Sequence, residues 1–333
     1  MNTILRMAHH ETRKFFGLAL LAFALAGLLP EASAAYPERP ITMIVAYAPG
    51  GGTDLVARAI APFIEKYLGE GAKILVLNRT GAGGEIGFTA LANAVPDGYT
   101  IGFLNTPNIL TIPIERKTQY SLESFDFLGN LVDDPDNFSV HQDSPIKNLA
   151  DLAAYAKANP YAVTVGTTGQ GSDDHLAMLT FEKIAGVKMS HIPFKGSSDV
   201  RTALIGKQIV VGAINIGEAL QFAKGGAPMR HLGQMSATRT VLAPDLPTFK
   251  EQGYDMELAS LRGMGAPKGL PPAIRERLVK AVERAAADPL FQAQAAKFFA
   301  PLRYLPPQAY ETELRGAEAQ FRQLWKEIPW MEK

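Results

Sequence analysis

Ile41-Thr42-Met43-Ile44-Val45-Ala46-Tyr47-Ala48-Pro49-Gly50-Gly51-Gly52-Thr53-Asp54 is the stretch whose reading decides the fold. Ile41 to Ala46 is a run rich in apolar and β-branched residues, the pattern of a buried parallel strand. It runs into three glycines and then into Thr53-Asp54, either of which has the chemistry to N-cap a helix over Leu55 to Leu68. A strand, a glycine turn and a helix N-terminus have a chemical consequence when joined. The first backbone N–H groups of a helix lack intrahelical partners and lie at the positive end of its dipole. Glycines let an anion come close to them. Glycine also serves turn geometry alone, so the motif is read together with its surroundings. Phosphate fits poorly, because neither G-x-x-x-x-G-K-[ST] nor G-x-G-x-x-G follows this strand and Asp54 would repel a polyphosphate. A carboxylate or a neutral polar ligand fits better.

Working outward, the same unit recurs. Lys73 to Leu77 is a strand, Asn78 to Gly84 a glycine-rich turn, and Glu85 to Ala94 a helix. Tyr99 to Leu104 is a third strand, ending in Asn105-Thr106-Pro107-Asn108. Residues 108–125 are poorly periodic and rich in turn formers. Phe125 to Val140 alternates apolar and polar segments around Asp133-Asp134-Pro135-Asp136, as a crossing strand and loop would. Asn148 opens a helix that stops before Pro160. A second series then begins. Strands at Ala162 to Val165, Ser190 to Pro193 and Ile209 to Ile214 lead into Gly166 to Asp174, Phe194 to Asp199 and Asn215 to Glu218, each followed by a helix. Further strands are expected at Met229 to Met235 and Leu258 to Ala266. Helices follow at Ala273 to Ala287, 289–299 and 307–328.

Short strands alternating with helices predict parallel α/β sheets that bind ligands at the carboxyl ends of their strands. Two such blocks without sequence repetition predict two lobes facing a cleft, each a mainly parallel sheet flanked by helices. The expected segments are residues 35–127 for the first part of lobe 1, 128–232 for lobe 2, and 233–333 for the return to lobe 1 with C-terminal helices.

The chain has 333 residues, 47% apolar and 20% charged, with 33 basic and 33 acidic side chains. That is a globular composition without the basic excess of a nucleic-acid or anionic-membrane binder. The first 34 residues differ: Arg6, Arg13 and Lys14 precede the uncharged run Phe15 to Leu29 and the small-residue site Ala32-Ser33-Ala34. This is the plan of a cleaved signal peptide, with an apolar run too short for a comfortable membrane span. There is no cysteine, which excludes disulfides, thiol catalysis and thiolate metal sites. The histidines beyond the leader (His141, His175, His191, His231) have no metal-ligand spacing, so neither metal nor cofactor is expected.

The ordered motifs carry a resemblance. Tyr36-Pro37, Arg39-Pro40-Ile41, Pro49 to Asp54, Ala57-Arg58, Asn78-Arg79, Gly81 to Gly84, Pro96 to Thr100, Ala156 to Pro160, Gly169 to Ser172 with His175-Leu176-Ala177, Pro193 to Gly196, Leu246 to Thr248 and Ala266-Pro267 together resemble the Bug-type family. These are periplasmic substrate-binding proteins of tripartite tricarboxylate transporters. The resemblance spans essentially the whole chain beyond the leader. It implies a two-lobed, type II-like periplasmic-binding-protein fold and a monomer. It also implies closure on a small carboxylated solute, and delivery to large and small membrane permease components. A ligand carboxylate would lie between Ala48 to Asp54 and Asn78 to Gly84, partly through ordered water. The opposite loops would select the rest of the ligand. The chain departs from the family in that second lobe: Ala203 stands where an aspartate is common, and Asp173-Asp174 and Asp133 to Asp136 are unusual.

The candidate binding residues are therefore Tyr47, Ala48, Gly51, Gly52, Thr53 and Asp54 on the first loop, and Asn78, Gly81, Ala82 and Gly83 on the second. Asn105 and Thr106 follow on the third. The opposite lobe offers Thr168, Gly169, Gln170, Ser172, Asp173 and His175, then Phe194, Lys195 and Gly196, then Asn215 and Glu218. Thr53 and Ser172 combine capping with hydroxyl donation. Asp173-Asp174 suits a helix first turn, or a contact to a ligand hydroxyl or ammonium. Lys195 is a candidate partner for a distal carboxylate, and Tyr47 with Phe194 would wall an aromatic one. Two rivals to transport are considered. A sensing receptor would signal through a partner protein. A hydrolase lacks G-x-S-x-G and a Ser-His-Asp set, Ser172 and His175 belonging to a helix start.

Overall fold

A computed structural model describes residues 36–69 and 71–331, so the expected signal peptide lies outside the described residues. From Arg39 onward, the first three units form as the hydrophobic pattern dictates. They are β1 (Ile41–Val45) with α1 (Gly52–Leu68), β2 (Ile74–Asn78) with α2 (Glu85–Ala92), and β3 (Thr100–Asn105). β1 lies between β2 and β3, parallel to both, with Ile41 beside Ile74 and Thr42 beside Thr100.

The poorly periodic stretch after β3 contains a helix, α3 (Asn108–Glu115). Its Asn108, Ile109, Leu110, Thr111 and Ile112 are all buried, so it has no polar face to generate a helical period, and Pro113 further masks it. β4 (Phe125–His141) then runs without a break through the acidic stretch expected as a loop. Its partners explain this. From Phe125 to Pro135 it pairs antiparallel with β9 (Ala259–Pro267), and from Asp136 to Val140 with β7 (Val211–Asn215). Pro135, which has no N–H to donate, sits at the change of partner.

The second lobe follows: α4 (Leu149–Ala158), β5 (Thr164–Thr167), α5 (Asp173–Ala185), β6 (Ser190–Pro193), α6 (Ser197–Ile205), then β7, α7 (Ile216–Lys224) and β8 (Met229–Gln234). β5 is parallel to β6 and β7, whereas β8 runs antiparallel to β4. The return from β9 brings α8 (Pro272–Ala287), α9 (Pro289–Lys297), β10 (Leu302–Leu305) and α10 (Pro307–Glu327). β10, antiparallel to β4, is a four-residue strand the sequence reading passes over. The sheet is thus mixed: each lobe has three parallel strands, and antiparallel β4 and β9 join them.

The lobes have separate cores, lobe 2 with an additional cluster around Val200, Leu204 and Ile214. Phe88, Leu104, Phe125, Phe127 and Tyr310 fill one. Phe138, Phe181 and Phe249 fill the other, with Phe138 edge-on to both rings at 5.7 and 5.3 Å. Phe249 and Met256 belong to that second core. We propose that the crossings lie at Pro135/Asp136, where β4 changes partner, and at Leu258/Ala259, where β9 begins, in place of the expected 127/128 and 232/233.

Candidate functional site

The glycine turn after β1 gives α1 an N-terminus without a side-chain cap. The N-cap is Gly51, in extended conformation, and Thr53 and Asp54 already lie inside the helix. This corrects the expected cap. Asp54 instead folds back onto the turn, accepting from Gly50 N at 2.9 Å, from Arg58 Nε and from Asn78 Nδ2 at 2.9 Å. Burial raises its carboxyl, but these donors outweigh it and hold it below the ordinary value.

The cap that does form comes from the opposite lobe. Gly52 N donates to Glu218 Oε1 at 2.6 Å, and Ser197 Oγ donates to the same oxygen at 2.9 Å. Arg262 Nη2 stands 3.5 Å from it. The sequence's anion-binding floor therefore holds a carboxylate, and that carboxylate is the chain's own. Glycine lets the two side chains approach this closely: a Cβ on Gly52 would lie 2.2 Å from Arg262 Nη1 and 2.6 Å from Glu218 Oε1, so a larger residue would displace them.

Arg262, on β9, is buried and serves several acceptors. Its Nη2 donates to Asn215 Oδ1 at 2.8 Å and lies 3.1 Å from Asp134 Oδ2. Asp134 Oδ1 accepts from Gly217 N at 3.0 Å, and Asn215 Nδ2 donates to Asp173 Oδ2 at 2.6 Å. Burial pushes Asp134 up to about 7 against the pull of Arg262. Burial likewise pushes Asp173 up to about 6, against Asn215 and Arg262. Behind them Asp136 and Asp174 are pushed well above the carboxylate range, first by burial and then by neighbouring acids.

These groups surround a cavity of about 20 Å³, space for a water or two and too little for a small organic acid. Of the expected residues, Tyr47, Gly51, Gly52, Thr53 and Asn105 line it from lobe 1, and Thr168, Asp173, Asn215 and Glu218 from lobe 2. Asn108, Ser197, Ser260 and Arg262 line it as well and were not foreseen. Ser197 had a visible signal, since it follows Gly196 in a loop already singled out. Arg262 had none, because its strand looks like ordinary core.

The other expected residues are engaged elsewhere. Ala48 N donates to Lys195 O at 3.1 Å, and a Cβ on Gly196 would lie 3.0 Å from Ala48 N, so these three make a backbone contact between lobes. The Lys195 side chain is exposed. Asn78 braces Asp54, and Gly81 faces Ile86. Ala82 O accepts from Arg116, and a Cβ on Gly83 would lie 3.0 Å from Gln170 O. Thr106 ties β3 to β9 through Leu261 N and Ser260 Oγ. Thr167 Oγ1 engages Gly169, and Gln170 Nε2 reaches Glu115 and Trp330 O. Phe194 is half-buried against a lobe 2 cluster that includes Val200 and Ile209, leaving Tyr47 as the aromatic wall among the pair. Ser172 Oγ caps α5 by accepting from His175 N, as expected. The His175 ring stacks on His191 at 3.8 Å and accepts from Gly171 N, so it does not face Ser172 Oγ as a general base would. Burial pushes its imidazole well below the ordinary value.

The model of the tripartite tricarboxylate transporter family receptor matches residues 56–312. The UPF0065 protein in the gbd 5′ region of Cupriavidus necator is 33% identical over 304 residues, covering 91% of each chain. Among solved structures, periplasmic binding protein BugD superposes with a TM-score of 0.83 at 33% identity, covering 90% of this chain and all of the other. MatC from Rhodopseudomonas palustris, with bound malate, gives 0.79 at 25% identity over 87% and 99%. R. palustris Rpa4515 with adipate gives 0.82 at 26% over 87% and 97%. With its two α/β lobes and a carboxylate seated between them, the chain belongs to the tripartite tricarboxylate transporter receptor family, a family of solute-binding receptors and not of enzymes.

Proposed function

We propose that this protein is a periplasmic receptor that closes on a small carboxylated solute and hands it to the large and small membrane subunits of a tripartite transporter. The observation that carries this reading is Glu218 on the α1 N-terminus. Gly52 N, Ser197 Oγ and Arg262 converge on one carboxylate oxygen, and a free ligand's carboxylate is chemically the same group. Malate and adipate in related structures support the class. Binding would replace Glu218 by the ligand and shift the balance between open and closed lobes, the closed form being what the permease reads. The leader-like residues 1–34 support export.

A thermal-shift screen of the protein against aliphatic, hydroxy, amino and aromatic carboxylates tests this. A ligand at 100 times its Kd adds about 2.7 kcal/mol if it binds only the folded state, so at least one class raises Tm. No rise with any class, in protein freed of co-purified acids by denaturation and refolding, contradicts the reading.

A further inference from the structure

β4 and β9 join the lobes through the sheet, and the end of the chain makes a further link that the sheet does not hold. α10 belongs to lobe 1, where its Tyr310 and Leu314 are fully buried in the core. The helix ends at Glu327, and Trp330, just beyond it, lies against lobe 2. Its Nε1 would lie 3.4 Å from a Cβ on Gly171, and its carbonyl accepts from Gln170 Nε2 at 3.3 Å. The same Gln170 amide donates to Glu115 of α3 at 2.9 Å, so one lobe 2 side chain ties the tail and lobe 1 together. Pro329, Trp330 and Met331 line a hollow of about 200 Å³ together with His175, Met178 and His191 of lobe 2. Trp330 is 1% exposed, the largest side chain so deeply buried among the described residues. Lys183 of α5 also meets Glu327 at 3.3 Å, an exposed pair that adds little.

We propose that the residues after α10 are a latch: Trp330, seated on lobe 2, holds the two lobes closed and leaves its seat when they open. This rests on the open–closed reading above and is independent of which solute binds. Reach is the first reason. Only Ile328 and Pro329 separate the helix end from the anchor, a span of about 10 Å when fully extended. Lobes that part here by more than that reach pull Trp330 from its seat, because α10 is fixed in the lobe 1 core. Burial is the second reason. An indole removes about 150–250 Å² from water, so each opening re-exposes one of the largest apolar surfaces a side chain has. The seat is nevertheless one that can be left. The hollow beside it is not packed tight, and Trp330 Nε1 is buried with no hydrogen-bond partner among the described residues. That donor is unmade in the closed form and meets water in the open one. The latch holds the closed form with or without solute, so it slows entry and exit alike.

The test reads closure and the anchor separately. The chain has no cysteine, so Arg79→Cys with Thr202→Cys places one spin label on an exposed position of each lobe. Pulsed electron spin resonance then gives the distance between them. In Trp330→Ala, the share of a longer distance relative to the short one is expected to rise at least tenfold over the parent protein. Gly196→Phe serves as a wedge, since a Cβ there would lie 3.0 Å from Ala48 N across the seam. It too is expected to lengthen the distance. Trp325 and Trp330 are the chain's two tryptophans and their rings meet edge-on at 4.6 Å, so intrinsic fluorescence reads this place alone. In Gly196→Phe the emission is expected to shift to the red and to become open to acrylamide quenching. That readout decides the case even if Trp330→Ala fails to fold. Wedged lobes with unchanged emission, or an unaltered distance in Trp330→Ala alone, overturn the latch and leave lobe closure standing. An unaltered distance in both variants overturns the latch and the closure reading with it.

Discussion

Glu218 sits on the anion site that its own fold builds. Its Oε1 receives Gly52 N at 2.6 Å across 166 residues of sequence. The two halves of this contact were legible separately. Gly50-Gly51-Gly52 announced a helix N-terminus open to an anion, and Glu218 lay in a loop facing the cleft. Their meeting was not legible, because no local pattern encodes which side chain of one lobe reaches the other. On the proposed function, Glu218 is a tethered carboxylate that would compete with a carboxylate ligand. Replacing it by glutamine keeps the shape and removes the charge that favours the positive helix end. Glu218→Gln is predicted to tighten binding of the receptor's carboxylate about 2- to 30-fold, the range given by about 0.3–2 kcal/mol at a helix terminus. Titration calorimetry reads this. Weaker binding would mean that Glu218 serves the ligand and does not compete with it.

At the scale of elements, β4 is where the sequence reading and the structure part most. Asp133-Asp134-Pro135-Asp136 has the composition of a loop, yet it is strand, because β9 and β7 supply backbone partners on either side of Pro135. The strands β1, β2, β3, β5 and β7 were legible since each follows a short apolar run ended by turn residues. α3, buried along its length, had no amphipathic period to read. The cost of placing acids in β4 appears as a pH dependence. Asp134 titrates at about 7, facing Arg262 of β9, Glu218 and the Gly217 N–H of α7, and Asp173 of α5; the ordinary carboxyl value is 3.8. Asp173, at about 6, behaves alike. Between about pH 4 and 7 the folded chain therefore holds more protons than the unfolded chain, and this part of the stability falls as pH rises. Denaturant titrations at pH 5 and pH 8 are predicted to show a loss across the interval that shrinks in Asp134→Asn. An equal loss in wild type and variant would contradict the assignment.

For the whole molecule, the lobes meet in this structure through direct bonds. Ala48 N donates to Lys195 O, Ser198 Oγ to Pro49 O at 3.0 Å, and Thr111 Oγ1 to Gly171 O at 2.6 Å. With the cavity reduced to about 20 Å³, these contacts describe a closed form whose anion site is filled from within. On the proposed function, ligand entry would require opening, and reclosure around a ligand carboxylate would require Glu218 to leave Gly52. The crystal structure of the complex with the tightest-binding carboxylate tests this most directly. The account predicts a ligand carboxylate oxygen within hydrogen-bond distance of Gly52 N, with Glu218 turned away from it. Glu218 still bonded to Gly52, with the ligand held elsewhere, would contradict it.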